Sequence, residues 1–284
     1  MHLIVLIFGF TGILGKLIEL PANHIVIYRT IIAFVTIGFY LKFAGVSIGA
    51  PWKQVRKWLM TGFIVGLHWF FFFESIKLST VSIALVSFSS TALFTSLIEA
   101  IFRKKRPELN ELLFSIMIII GMAMVLSFEF KYAKGILFGI IGAFLASLFT
   151  VLNSKFVESS RPSLISLYEL MGGAAIILLL SMIIDPGSFA TNIPQLSDIF
   201  YLLLLGIVAT AFAFVVAIQI MKRLSPFTVS LTINLEPLYG IILSVIIFGQ
   251  EELMSGGFYI GFAIILFTLL ANAYFKKIKR NEGR

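Results

Sequence analysis

PFTVSLTINLEPLYGIILSVIIF, residues 226–248, decides the fold. Its 23 residues carry a single charge, Glu236, and that charge stands directly before a proline. A helix rising 1.5 Å per residue needs about 20 apolar residues to cross the ~30 Å hydrocarbon core. This run is long enough, but its middle is not that of an ordinary span. Pro237 has no N–H to give and its ring clashes with the turn before it. The helix is therefore expected to break here and to free a carbonyl near Ile233. A carboxylate at bilayer depth costs at least ~3 kcal/mol on insertion scales, so it needs a partner or a wet cavity. Glu236 next to Pro237 predicts a cation- or proton-binding site in a broken membrane helix. A plain kink, with Glu236 bonded to a neighbouring helix, is the structural alternative.

Working outward, similar apolar runs occupy roughly 2–20, 25–44, 57–77, 80–102, 111–130, 135–156, 164–184, 199–220 and 255–275. Barrel strands alternate in polarity over about ten residues, whereas these runs are continuous and twice as long. In lipid every backbone group must pair within its own segment, which makes them helices. Turn residues separate them, as in Pro21-Ala22-Asn23, Gly49-Ala50-Pro51, Arg161-Pro162-Ser163 and Asp185-Pro186-Gly187. The expected fold is an all-α membrane protein of ten transmembrane helices.

Composition agrees. The 284 residues are 59% hydrophobic and 13% charged, against about half and about a quarter in a soluble domain. A chain this short has too much surface to hide that much apolar material from water. Cysteine is absent, which excludes disulfides and thiolate chemistry, and with three His (His2, His24, His68) no zinc site is expected. There is no G-x-x-x-x-G-K-[ST] phosphate loop and no soluble stretch long enough for a catalytic domain. No enzyme activity, cofactor or metal is expected. The N-terminus is apolar from Leu3 without a basic n-region, so it reads as a retained first helix.

The formal charge of +8 lies between the apolar blocks rather than in a nucleic-acid-binding patch. Loops after the even spans and the C-terminal tail hold 17 Lys and Arg; loops after the odd spans hold four, Lys16, Lys77, Lys131 and Lys134. By the positive-inside rule both termini are cytoplasmic, in a bacterial-type inner membrane. A miscount by one span would scramble this asymmetry.

The two halves, 1–130 and 131–284, echo each other. Lys77 and Lys222 both lie at the ends of spans, and Tyr28-Arg29 in span two corresponds to Tyr168-Glu169 in span seven. Five spans per copy force the second copy to insert inverted, an arrangement recurrent in transporters whose site lies between the copies.

Asn234-Leu235-Glu236-Pro237-Leu238-Tyr239, followed by Gly249-Gln250-Glu251, resembles the EamA family of the drug/metabolite transporter superfamily. Gly9 and Lys16 in span one, and Tyr28-Arg29 with Ala33 in span two, resemble its opening pattern. The likeness covers nearly the whole chain. It departs in span four, where relatives often carry Pro and this chain has Thr91-Ala92. The resemblance implies export of amino acids or other metabolites, often proton-linked.

Other polar residues inside spans are further candidates. Arg29 and Glu169 occupy equivalent places in the two repeats and are positioned either to pair or to act separately, Arg29 as a fork for a substrate carboxylate. Glu74, His68 and Trp69 lie in the aromatic run of span three; a hydrogen-bonded core His and an interfacial belt are the plainer readings. Tyr239, Asn234, Asn153, Tyr168 and Thr91 are candidate lining residues. Ser87, Ser89, Ser90, Thr95 and Ser96 make span four hydroxyl-rich, for substrate or for their own helix. Glu99 and Arg103 form an i, i+4 pair. Gly62/Gly66, Gly135/Gly139 and Gly257/Gly261 are small-residue stripes for close packing, the last a candidate homodimer seam.

Together these features predict a secondary transporter for a small molecule, with H+ as the coupling ion and membrane lipid as surroundings. A channel or non-transporting subunit, an uptake permease, and a membrane-embedded lipid enzyme are the alternatives.

Overall fold

The structure, a computed structural model, describes residues 2–104 and 109–282. Every regular element among them is helical. The first half contains α1 (His2–Leu17), α2 (Ala22–Phe43), α3 (Trp52–Leu78), α4 (Val81–Phe88), α5 (Thr91–Arg103) and α6 (Leu109–Phe128). The second contains α7 (Ala133–Phe156), α8 (Pro162–Ile184), the short α9 (Ser188–Thr191), α10 (Leu196–Leu203), a π-helical stretch (Leu204–Phe212) and α11 (Ala213–Ile220). It ends with α12 (Pro226–Ile233), α13 (Glu236–Phe248) and α14 (Gly256–Glu282). Seven stretches are long and apolar enough to cross a membrane: Ala22–Phe43, Trp52–Leu78, Val81–Arg103, Phe130–Phe156, Pro162–Ile184, Leu196–Ile220 and Pro226–Glu252. Three shorter apolar helices, His2–Leu17, Leu113–Phe128 and Gly256–Asn272, stand at the other expected positions.

The distribution of polarity is inverted relative to a soluble domain. Phe43, Ile184, Ile246 and Phe267 are more than 70% exposed, while Arg29, Asn153, Glu169 and Glu252 are at most 1% exposed. An outer surface this apolar is suited to lipid, and the buried polar groups serve the interior.

Two spans are broken at mid-depth. The break between α12 and α13 falls at Asn234 and Leu235, just before Pro237, as the sequence predicts. The break between α4 and α5 falls at Ser89 and Ser90 although no proline is present. There the backbone tightens into i−3 bonds, Ser89 N to Val86 O (3.0 Å) and Ser90 N to Ser87 O (3.3 Å). The Ser87 and Ser90 hydroxyls donate to the Ile83 and Ser87 carbonyls (2.8 and 2.7 Å). Serine hydroxyls competing for backbone partners do here what proline does in the second copy.

The broken spans run antiparallel and meet at their breaks. Thr91 donates to Asn234 Oδ1 at 2.6 Å, Thr95 and Ser230 share a bond of 2.9 Å, and Ser82 and Ser244 approach to 3.4 Å. Each pair joins one half of the chain to the other, so the local two-fold runs through Thr91 and Asn234.

Around this centre the helices interlock through small residues. Gly62 and Gly66 of α3 face the backbone of Glu169 and Gly173 in α8, where a Cβ would overlap main-chain atoms. Gly135 and Gly139 of α7 face Ser79, Ser75 and Ser87. Gly257 and Gly261 of α14, considered from sequence as a seam for a second copy, instead face Phe128, Gly121 and Val125 of α6. The α6–α14 pair packs chiefly on itself, at the edge of the bundle.

Candidate functional site

A cavity lies between the two halves, beside the helix breaks. Counted by the water centres it accepts, its volume is about 90 Å³, several times the ~10–15 Å³ that one water needs. Its polar wall groups include Arg29, His68, Thr91, Thr150, Ser230 and Glu236; Phe8, Trp69, Phe72, Phe88, Phe149 and Phe214 supply the aromatic wall.

Arg29 is 1% exposed, yet it has no carboxylate partner within ion-pair distance among the described residues. Three other interactions hold it. Its Nε and Nη2 donate to Thr210 Oγ1 at 3.0 and 2.8 Å. Its guanidinium lies 4.3 Å from the Trp69 ring centre and 5.2 Å from that of Phe73. Stacking on an aromatic face suits a planar cation and costs it less hydration than an ammonium would lose. Nη1 is buried with no hydrogen-bond partner. Thr210 is presented by the π-helical stretch, where its hydroxyl donates to Leu205 O, five residues back, at 2.7 Å. The wider turn brings an acceptor to Arg29 that an ordinary helix would point elsewhere.

Glu236 is the first residue of α13 and is 4% exposed, on the wall of the same cavity. It makes no ion pair with Arg29. The positive end of α13's dipole lies beneath its carboxylate. Pro237 offers no N–H to the carbonyl of Ile233, which also lines the cavity. Gly9 of α1 crosses this segment closely enough that a Cβ would lie 3.3 Å from Glu236 O and Gly240 N.

Of the residues singled out from sequence, the cavity brings together Arg29, His68, Trp69, Thr91 and Glu236. Asn234 and Pro237 sit behind Thr91 and Glu236, at the break, and Tyr239 faces α1 beside Gly9. His68 Nδ1 is 2.9 Å from Gly142 O, within a cage of Trp69, Phe72, Phe88 and Phe149 rings. Glu169, Tyr168 and Glu74 lie off the cavity wall. Glu169 takes its hydrogen bond from Asn153 (3.1 Å), and Tyr168 donates to Ile48 O (2.8 Å) near the end of the bundle. Glu74 is half-buried beyond the wall. The Arg29–Glu169 pair considered from repeat symmetry does not form: each side chain is fixed by a neutral neighbour, Thr210 or Asn153.

Sequence reading missed Thr210, because one threonine in an apolar span gives no sign of a π-helix. It also missed that two carboxylates, Glu252 and the Glu99 read as an i, i+4 partner of Arg103, cap helices across the bundle. At one end Glu252, fully buried, accepts from Val81 N (3.0 Å), Ser82 N (2.9 Å) and Ser82 Oγ (2.8 Å), capping α4. It also pairs with Lys16, which Glu251 holds as well, both at 3.0 Å. At the other end Glu99 accepts from Phe227 N (3.1 Å), capping α12, and pairs with Arg103 at 2.9 Å. Each broken span thus has its N-terminus capped by a carboxylate from the other half of the chain. The Gly249-Gln250-Glu251-Glu252 run was the available signal for the first of these caps.

Among the described residues no group of three or more His, Cys, Asp or Glu is placed to hold a metal ion. A lipid-facing helical bundle, two antiparallel broken spans and a charged cavity between its halves define a multi-pass membrane transporter. The comparisons agree. The chain matches the EamA-like transporter family over residues 1–127 and again over 133–274, and it belongs to that family. It is 25% identical over 252 residues to the uncharacterized transporter YxxF of Bacillus subtilis (strain 168), covering 86% of this chain and 79% of that protein. A solved crystal structure shares the fold with a TM-score of 0.71 at 20% identity, over 94% of this chain and 93% of the other.

Proposed function

We propose that the chain is a proton-linked secondary transporter that exports a small metabolite such as an amino acid. It does so by alternating access, with ten crossings of the inner membrane and both termini cytoplasmic. The observation that carries this reading is the pair of opposite charges on one cavity wall that do not touch each other. Arg29 keeps a buried, unpartnered Nη1 for a carboxylate, and Glu236, on the same wall and outside every ion pair of the described residues, offers its carboxylate to an ammonium or a proton. A ring of aromatic side chains accepts the apolar remainder of such a molecule. The two carboxylate-capped ends supply what a rocking mechanism needs, one closure for each side of the membrane.

The test is reconstitution in liposomes under an imposed pH gradient, with pooled radiolabelled amino acids and small metabolites. Saturable flux that collapses with the gradient is expected. Glu236→Gln is expected to insert normally and to lose gradient-driven flux. Full proton-coupled flux in that variant would refute coupling at Glu236, and non-saturable flux would favour a channel.

A further inference from the structure

A second buried carboxylate lies away from the central cavity and has no counter-charge among the described residues. Glu169 stands seven residues into α8, about 10 Å along the axis from its Pro162 end. It is 0% exposed. Its one hydrogen bond comes from Asn153 Nδ2, 3.1 Å from Oε2. Three oxygens here are buried without a hydrogen bond: Glu169 Oε1, Asn153 Oδ1 and Ser166 Oγ. Ser166 is three residues before Glu169 and shares its face of α8.

Buried polar atoms are satisfied in the great majority of cases, and each orphan is costly. Three together, two of them pure acceptors, call for a hydrogen donor or a cation rather than another acceptor. Among the described residues no side chain supplies it. On α2, Arg29 reaches Thr210 and makes no ion pair with Glu169, His24 bonds Asn23, Tyr28 is half-buried, and Tyr40 and Lys42 are exposed. On α3, His68 bonds Gly142, Lys53, Arg56 and Lys57 are exposed, and Glu74 and Lys77 lie near the opposite end. On α7, Lys155 rests over the Phe102 ring at 4.5 Å and Lys134 belongs to the far end. α11 has no titratable residue. What α3 turns toward Glu169 is backbone, at Gly62.

The site is close to the transport path. Thr150, on the cavity wall, is three residues before Asn153 on the same face of α7.

We infer that Glu169, Asn153 and Ser166 form a monovalent-cation site, taking a proton or Na+, separate from the Arg29–Glu236 site. Its binding stands on geometry alone; its role in coupling rests on the transporter reading. A cation here neutralises Glu169 and gives Asn153 and Ser166 the partner they lack.

The test uses the purified full-length protein without cargo. Radioactive sodium binding measures the Na+ arm. The infrared C=O stretch of a protonated carboxyl group at neutral pH, taken as the difference between wild type and Glu169→Gln, measures the proton arm. One signal is expected in the wild type, and Glu169→Gln is expected to remove it. Gln keeps the volume and mimics the neutral acid, so this variant should fold. Asn153→Ala is expected to weaken cation binding about tenfold, the value of one lost buried hydrogen bond. Ser166→Ala should weaken it less, and Glu158→Gln, at an exposed position, should leave it unchanged. Sodium binding that survives Glu169→Gln, or the absence of both sodium binding and a difference band, overturns the site. A failed cargo screen does not bear on these readouts, and their failure leaves the central site standing.

Discussion

Replacing Glu252 by Gln should open one end of the transporter by a calculable amount. Glu252 accepts from two α4 amides at 3.0 and 2.9 Å, from the Ser82 hydroxyl at 2.8 Å, and faces Lys16 at 3.0 Å. Gln keeps the volume and one acceptor oxygen, but its NH2 confronts a donor. One charge-assisted bond is lost and a buried N–H is orphaned, a change of about 1.5–3 kcal/mol. Lys16, itself 23% exposed, retains Glu251, so the loss of its second partner is not added to this figure. A change of about 2 kcal/mol shifts the closed-to-open ratio at this end roughly 30-fold, at 1.36 kcal/mol per tenfold. The chain has no cysteine, so Thr11→Cys on the cavity wall reports without background. An impermeant maleimide applied from the Lys16 side should label that cysteine up to about 30 times faster in Glu252→Gln while the open state remains minor. Glu99→Gln should raise labelling from the opposite side instead. An unchanged rate, or an equal rise from both sides, would refute the view that these caps are closures and leave them as ordinary fold contacts.

Two further perturbations follow. Thr210→Val preserves shape and removes the acceptor of two Arg29 N–H groups; it should destabilise by about 1.5–3 kcal/mol, read as a lower thermal unfolding midpoint. An unchanged midpoint would show that Trp69 and Phe73 hold Arg29 by themselves. Gly62→Ala drives a Cβ into the Glu169 carbonyl and must part α3 from α8, so the yield of monodisperse protein should fall sharply. Gly38→Ala, with nothing within 4 Å of the new methyl, should be neutral.

The helical class was legible because lipid leaves the chain no other option: long apolar runs and sidedness of charge are composition-level signals. The break at Asn234–Leu235 was legible through Pro237. The break at Ser89–Ser90 was not, because a run of hydroxyls is compatible with an intact helix whose side chains bond back to it. Ser87 and Ser90 do bond back, while Thr91 and Thr95 reach across to the other broken span. Choosing between those uses requires the neighbour. Arg29 and Glu236 were legible as costly charges at bilayer depth. Their partners were not, since Thr210 is ordinary in sequence and special only in the geometry of a π-helix. Repeat symmetry suggested Arg29 and Glu169 as equivalents, but equivalence under a two-fold axis is not contact. The caps were missed for a related reason: Glu252 and Glu99 gain meaning from the N-termini opposite them, which lie 171 and 128 residues away in the chain.

The two caps are unequal, and the inequality has a direction. Glu252 holds α4 through three charge-assisted bonds, and Lys16 is gripped by two carboxylates. Among the described residues Glu99 holds α12 through one backbone bond and pairs with a half-exposed Arg103. At about 1.5–3 kcal/mol per charge-assisted bond, the Lys16 end is the more strongly closed. The cavity follows the same bias. Its lining reaches Met221, just beyond the end of α11, on the Arg103 side. On the Lys16 side it stops at Thr11 and Phe72, each six residues, or about 9 Å, short of its helix end. The antiparallel crossing of the two broken spans makes the opposite arrangement geometrically available, with the grip on α4 relaxed and that on α12 tightened. Binding at a site on the two-fold can favour either arrangement only by differential contact with the two halves. Arg29 from the first half and Glu236 from the second are placed to provide it, since one ligand bridging both would draw the halves together across Thr91 and Asn234.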